Sequence, residues 1–202
     1  IAEALDVSDE AGLRALLARL RAGGAPLRGV WHSAGALADA ALLQQDDAHF
    51  RRVFAAKVDG ATLLDRLTRG DALDAFVLFA SVAGVLGSAG QSNHCAANAF
   101  LDALAASRAA QALPALSIDW GAWRDIGAAA DLGIGERLAA QGVGALTPAQ
   151  GLAALARLLD RPTVQAAVLA IDWPTYLARM GPRGRSALLS ELARLDRLTV
   201  VE

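Results

Sequence analysis

The sequence predicts an α/β fold, a doubly wound parallel sheet with helices packed on it, and three observations carry that prediction. Apolar runs without alternation, Asp74–Ser81 (DAFVLFAS) above all, mark strands covered on both faces. Such runs alternate with segments whose leucines and alanines recur at helical spacing, the pattern of strand–helix–strand units. The 202 residues are 54% hydrophobic and only 5% aromatic, so the core is built of many small aliphatic side chains, which suits helices laid on a sheet.

The elements follow in order. Ala4–Val7 reads as the end of a strand, and Ser8 is the expected N-cap, with Asp9 and Glu10 in the first helical turn. Leu13, Leu16, Leu17 and Leu20 then recur at helical spacing until Gly23-Gly24 ends the helix. Leu27–His32 is a short strand leading into a tight Ser33-Ala34-Gly35 turn. Asp46–Leu67 reads as one long helix despite Gly60, and it carries Lys57. After the Asp74–Ser81 strand comes a helix from about Asn93 to Gln111, then a strand at Leu116–Trp120. A helix over Pro148–Leu159 and a strand over Val164–Ile171 complete the alternation. Ala128–Gly144 is rich in small residues and reads equally as a lid or as a surface helix with loose ends.

Composition excludes several classes. A formal charge of −2 leaves no basic footprint for nucleic acid. No apolar run reaches the roughly eighteen residues of a membrane span. The single cysteine, Cys95, forms no internal disulfide and no cysteine-rich zinc site, and no metal site is expected. With no signal peptide ahead of the first helix, the expected location is cytoplasmic. The chain opens on Ile1 inside structured-looking sequence and ends in an amphipathic helix (LSELARLDRLTVVE), as a piece of a longer polypeptide would.

One constellation carries chemistry. Ser81 ends its strand, on the sheet edge where ligands bind in open parallel sheets. His94 and Asn98 lie four apart on the following helix and share a face. Lys57 is a lone cation on a mostly apolar helix, and Asn98 is an asparagine in mid-helix, where that residue seldom sits without a hydrogen-bonding duty. Singly, each is ordinary: a strand-ending serine is usually a turn former, a helical lysine a solvated charge, and a histidine in a first helical turn need have no role.

Jointly, Lys57 in KVDG, Ser81, His94 in SNHCAAN and Asn98 resemble the active site of the ketoreductase domains of modular polyketide synthases, within the short-chain dehydrogenase/reductase superfamily. Those domains place asparagine four after the catalytic tyrosine and bring lysine from the preceding helix, as Asn98 and Lys57 do here. The resemblance implies a Rossmann-like sheet of the short-chain dehydrogenase type lacking its first strands. It implies NADPH-dependent reduction of a β-ketoacyl thioester borne on an acyl carrier protein, with neighbouring synthase domains as further partners. Ser81 would hold the carbonyl oxygen, His94 would stand at the acid position, Lys57 would orient ribose and tune the acid, and Asn98 would complete the hydrogen-bond network. Asp6 and Val7 resemble the adenine-contacting pair, and Ser33, Ala34 and Gly35 the turn beneath the cofactor. Trp120 and Gly121 fall in the segment reaching the nicotinamide. Leu37 and Asp39 keep the first and last members of the Leu-Asp-Asp triplet of B-type members, and Leu86 stands where A-type members carry tryptophan; both imply a D-configured hydroxyl. Residues 1–182 would then be a partial catalytic domain, and 183–202 a helix leading to a following domain.

Two departures stand out. The family's Gly-rich phosphate turn is not in the sequence: Gly84, Gly87 and Gly90 have the wrong spacing for G-x-G-x-x-G. The missing first strand is the expected neighbour of Ala4–Val7. His94, moreover, stands where the family has tyrosine. An imidazole reaches roughly 2 Å less far than a phenol, a large shortfall where misplacement by about 1 Å costs on the order of a hundredfold. A catalytically silent, structural ketoreductase is therefore the alternative reading. A serine hydrolase is not supported, because FASVA around Ser81 is no G-x-S-x-G elbow.

Overall fold

A computed structural model describes residues 2–125, 135–180 and 187–191. They fall into two compact units, one of residues 1–120 with 157–167 and one of 121–156 with 168–202.

In the first unit the apolar runs form the sheet: β1 (Gly29–His32), β2 (Ala75–Ser81), β3 (Leu116–Trp120) and β4 (Gln165–Val168), adjacent in that order. β1 and β2 are parallel with Val30 opposite Phe76, and β2 and β3 are parallel with Phe79 opposite Ile118. The order runs in one direction only, one winding of the doubly wound sheet that the sequence predicts. Around it lie α1 (Glu10–Ala22), α2 (Asp47–Phe54), a π-turn (Ala55–Asp59), α3 (Gly60–Thr68), the short α4 (Ala83–Leu86) and α5 (Ser92–Ala109). Alternate residues of β2, namely Phe76, Leu78 and Ala80, join Val30, Ala61 of α3 and Leu101 and Ala105 of α5 in one core. Val77, on the opposite face of β2, is fully buried too, so the unbroken apolar run reflects a strand covered on both sides.

The second unit contains α6 (Gly135–Ala139), most of α7 (Pro148–Leu159) and α8 (Trp173–Met180). Gly151 lies under the Trp123 ring, where a Cβ would come within 2.2 Å of it. Among the described residues no helix is long and apolar enough to cross a membrane.

Several expectations need correction. Ala4–Val7 forms no strand, because no neighbouring strand offers it a ladder among the described residues. Asp9, not Ser8, caps α1, accepting from the N–H groups of Ala11 and Gly12. Ser8 instead gives its N–H and hydroxyl to the Asp6 carboxylate, which holds that carboxyl below its usual range. The strand expected over Val164–Ile171 is confined to Gln165–Val168. The long helix is three pieces: Asp46 opens it through a capping box with His49, and the π-turn divides it. The lid or helix over Ala128–Gly144 lies partly outside the described residues, as does nearly all of the terminal helix and the 182/183 boundary.

Gly60 in mid-helix is a packing requirement. A Cβ there would stand 2.6 Å from Val7 Cγ1. Gly60→Ala is thus expected to destabilise the domain by about 1–3 kcal/mol, despite alanine's better helix propensity. Urea unfolding of the variant beside the native protein checks this, and equal midpoints would contradict it.

Candidate active site

A π-turn opens a helix by one residue and re-aims the side chains it carries. Here the Gly60 N–H reaches back to the Ala55 carbonyl, and Lys57 sits inside the widened turn, only 7% exposed. Its Nζ donates to the Phe79 carbonyl of β2 at 2.9 Å. Burial lowers the Lys57 pKa to about 8, against the opposing charge of Asp102. Gly35 passes so close that a Cβ there would stand 3.3 Å from Lys57 Cε. Ser33, Ala34 and Gly35 are exposed, leaving this turn accessible beside the lysine.

Ser81 ends β2, half-buried, and its Oγ accepts the Ala83 N–H at 3.2 Å, which leaves the hydroxyl proton to donate elsewhere. The start of α5 is held from a distance by Gln45. Its Oε1 accepts from Ser92 Oγ and the Asn93 N–H, while its Nε2 donates to the carbonyls of Ala40 and Gly90. Asn93, fully buried, donates to the Ala38 and His49 carbonyls and accepts the His94 N–H. These bonds tie the segment of Leu37 and Asp39 to the helix that carries His94.

One turn further, Asn98 is fully buried and its Nδ2 donates to the His94 carbonyl at 2.7 Å. Gly84 rests on this turn, since a Cβ there would stand 3.1 Å from the Ala99 nitrogen. Asn98 Oδ1 and His94 Nδ1 are both buried with no protein partner. Polar atoms left this way inside a fold point to a bound group or ordered water as their partner. His94 is lowered to about 4, first by burial and then by the Lys57 charge, with Asp39 opposing. His32 of β1 is likewise lowered to about 4 by burial and Lys57. At neutral pH the His94 ring is therefore uncharged.

These shifts fix a sign. Each histidine has a folded pKa below its unfolded value, so between about 4 and 6.5 the unfolded chain binds protons that the folded one refuses. That contribution makes stability fall as pH drops through this window. Asp119, raised to about 6, acts oppositely, because its folded form binds a proton that the unfolded one has released. His94→Tyr removes one histidine, so the loss of stability from pH 6.5 to 4 should be shallower than in the native protein. Urea midpoints at both pH values test it; an unchanged or steeper loss would count against it.

The first unit therefore brings together Lys57, Ser81, His94, Asn98 and Gly35, with Trp120 closing β3 against Phe79 at 5.7 Å between ring centroids. Leu86 is half-buried at the end of α4, and Asp39 accepts from Gln91 Nε2 at 2.9 Å. Val7 meets the helix at Gly60, whereas Asp6 is engaged with Ser8. Gly121 belongs to the second unit, where a Cβ would stand 2.9 Å from Leu169 Cβ. Sequence reasoning missed Gln45, Asn93, His32 and the acids Asp102 and Asp119. Asp119 was the findable one, a charged residue inside a short strand whose five residues are all buried.

The family model for the KR domain matches residues 1–125. The chain is similar to polyketide synthase GfsB of Streptomyces halstedii, 43% identical over 87% of this chain and 3% of that protein. It is also similar to mycoketide-CoA synthase of Mycobacterium tuberculosis, 44% identical over 79% of this chain and 4% of that one. Among solved structures, A-type ketoreductases from a modular polyketide synthase superpose with a TM-score of 0.90 at 40% identity, over 98% of this chain and 42% of theirs. A C2-type ketoreductase from a modular polyketide synthase superposes with a TM-score of 0.84 at 31% identity, over 98% of this chain and 42% of its own. The chain thus spans less than half of the solved domains and a few per cent of the curated synthases.

Proposed function

The chain belongs to the ketoreductase (KR) domains of polyketide synthases, and from that premise we propose that it forms the catalytic part of an NADPH-dependent β-ketoacyl reductase. Its substrate is a β-ketoacyl thioester presented by an acyl carrier protein, and its product the β-hydroxyacyl thioester. Residues 1–182 serve the reaction, and 183–202 lead toward a neighbouring synthase domain in the cytoplasm.

The observation that carries the reading is the convergence of a buried lysine, a strand-end serine with a free hydroxyl proton, and two unpartnered polar atoms on α5. That set fits the sugar end of a nicotinamide dinucleotide. Lys57 keeps two N–H groups beyond its bond to Phe79 for ribose hydroxyls, and the exposed Ser33-Ala34-Gly35 backbone allows close approach. Trp120 and Gly121 are assigned to the nicotinamide end, and Asp6 and Val7 to the adenine end. Bound there, the dinucleotide supplies hydride.

The residues do the rest. Ser81 Oγ and the imidazole ring N–H of His94 donate to the substrate carbonyl oxygen, polarising it where negative charge develops. Lys57 stabilises that charge through space, and Asn98 holds the turn of α5 that aims His94. A neutral His94 is a hydrogen-bond donor far more than an acid, so proton delivery is the slow point of this site. The same observation favours the second reading, a silent domain retained to organise its module.

The test is NADPH oxidation with a β-ketoacyl thioester, using the domain completed to the length of its solved relatives. Turnover by the native protein that Ser81→Ala abolishes supports reduction. Cofactor binding without turnover supports the silent domain. Leu37, Asp39 and Leu86 assign the product a D-configured hydroxyl; chiral analysis finding the L product would overturn that assignment.

A further inference from the structure

Helix α5 carries one polar stripe, half-buried His94, fully buried Asn98 and half-buried Asp102, spaced four apart, and only its first two members serve the site described. Asp102 faces β3, where Ser117 Oγ donates to its Oδ1 at 2.6 Å. Ser117 and Asp119 point to the same face of β3, and Gln165 Nε2 of β4 donates to Asp119 Oδ2 at 2.8 Å. Asp119 is 1% exposed. Each carboxyl thus has one oxygen bonded to a neutral donor, and the remaining Asp119 oxygen, Oδ1, is buried without a hydrogen-bond partner. Burial, with the neighbouring Asp102 charge, pushes the Asp119 carboxyl up to about 6, and burial raises Asp102 too, so carrying two charges here costs free energy. The strand register sets these carboxyls beside the lysine's anchor, because Phe79, whose carbonyl holds Lys57, lies opposite Ile118, between Ser117 and Asp119.

We propose that Asp102, paired with Asp119, is a positioning residue for this site: its charge, held behind α5, keeps the buried Lys57 an ammonium while the reaction runs. The inference rests on the functional reading above for its consequence, though not for its first readout.

The titratable groups that interact with the Lys57 charge are His32 from β1 and His94 and Asp102 from α5, with Asp119 of β3 acting on Asp102. Of these, His94 and His32 are neutral rings at neutral pH. β2 and α4 contribute no titratable side chain, and His49 of α2 is engaged with its own cap, Asp46. Asp102 is therefore the counter-charge that offsets burial at Lys57.

The experiment follows the ionisation of Lys57 in the completed domain by the pH dependence of its reductive methylation, read by peptide mass spectrometry. Asp102→Asn should move the Lys57 midpoint to lower pH by about one unit, with its methylation rising about fivefold at neutral pH. Asp119→Asn keeps a hydrogen bond and leaves Asp102 charged, so it should raise methylation at neutral pH less than twofold or lower it. Should Asp102→Asn fail to fold, Ser117→Ala, which weakens support of the Asp102 carboxylate, should give a smaller shift of the same sign. Lys57 unmoved in every folded Asp102 or Ser117 variant would overturn the proposal. In reduction, Asp102→Asn should also bring the alkaline limb of kcat/KM to lower pH. If methylation shifts while no variant turns over, the charge relation stands and the reductase reading fails.

Discussion

Replacing His94 by tyrosine in the completed domain is expected to raise kcat for reduction by at least a hundredfold, within the range of about 10²–10⁴ that a positioned acid contributes. Two physical differences drive it. A phenol reaches roughly 2 Å farther than an imidazole, into the distance that proton transfer requires. The Lys57 charge then acts with opposite sign on the two groups. It disfavours imidazolium, helping to lower His94 to about 4, whereas it favours tyrosinate and so strengthens tyrosine as an acid. KM should change little, since Ser81 and Lys57 keep their places. Steady-state NADPH oxidation by both proteins decides it. A gain with tyrosine over an inactive native protein would make the site silenced but intact. No gain, with cofactor bound, would place the defect beyond His94.

Removing the Arg108 guanidinium should cost about 3–5 kcal/mol, the range found when one partner of a buried ion pair is deleted. Arg108 is 1% exposed and pairs with Asp65 of α3. Its Nε donates to the Pro114 carbonyl at 3.0 Å, and its guanidinium lies 3.8 Å from the Phe76 ring centroid. One side chain thereby joins α3, the end of α5, the turn before β3 and the start of β2. Arg108→Met leaves the Asp65 carboxylate buried with only the half-exposed Arg69 as partner. The double variant Arg108→Met with Asp65→Leu should recover much of the loss, because no unpaired charge then remains. Urea unfolding of the three proteins tests this, and a single-variant loss under about 1 kcal/mol would refute it.

Both predictions concern residues whose partners are distant in sequence, and that limit marks what the chain itself discloses. Local pattern was enough for β2, β3, α5 and the Gly23 stop of α1, because burial on both faces leaves a strand no polar position and a helix repeats its apolar face every turn. The grouping of Lys57, Ser81, His94 and Asn98 was legible because order and spacing along a strand–helix unit constrain where side chains emerge. Pattern misled wherever a neighbour decided. Ala4–Val7 has strand-like residues, yet a strand exists only with a partner for its backbone. Ser8 and Asp9 are both good caps, and the choice fell on the residue whose carboxylate meets the free N–H groups of α1.

Sequence by itself determined the parallel α/β architecture, the family and the four residues proposed for the site, since these depend on periodicity and on short-range spacing. Tertiary structure alone decided the chemistry those residues can do. The π-turn that buries Lys57, the Gln45 and Asn93 clamp on α5, the neutrality of His94 and the acid pair behind it all arise between segments far apart in the chain. Charge and solvation are set by what surrounds a group in space, and no local pattern of residues encodes that.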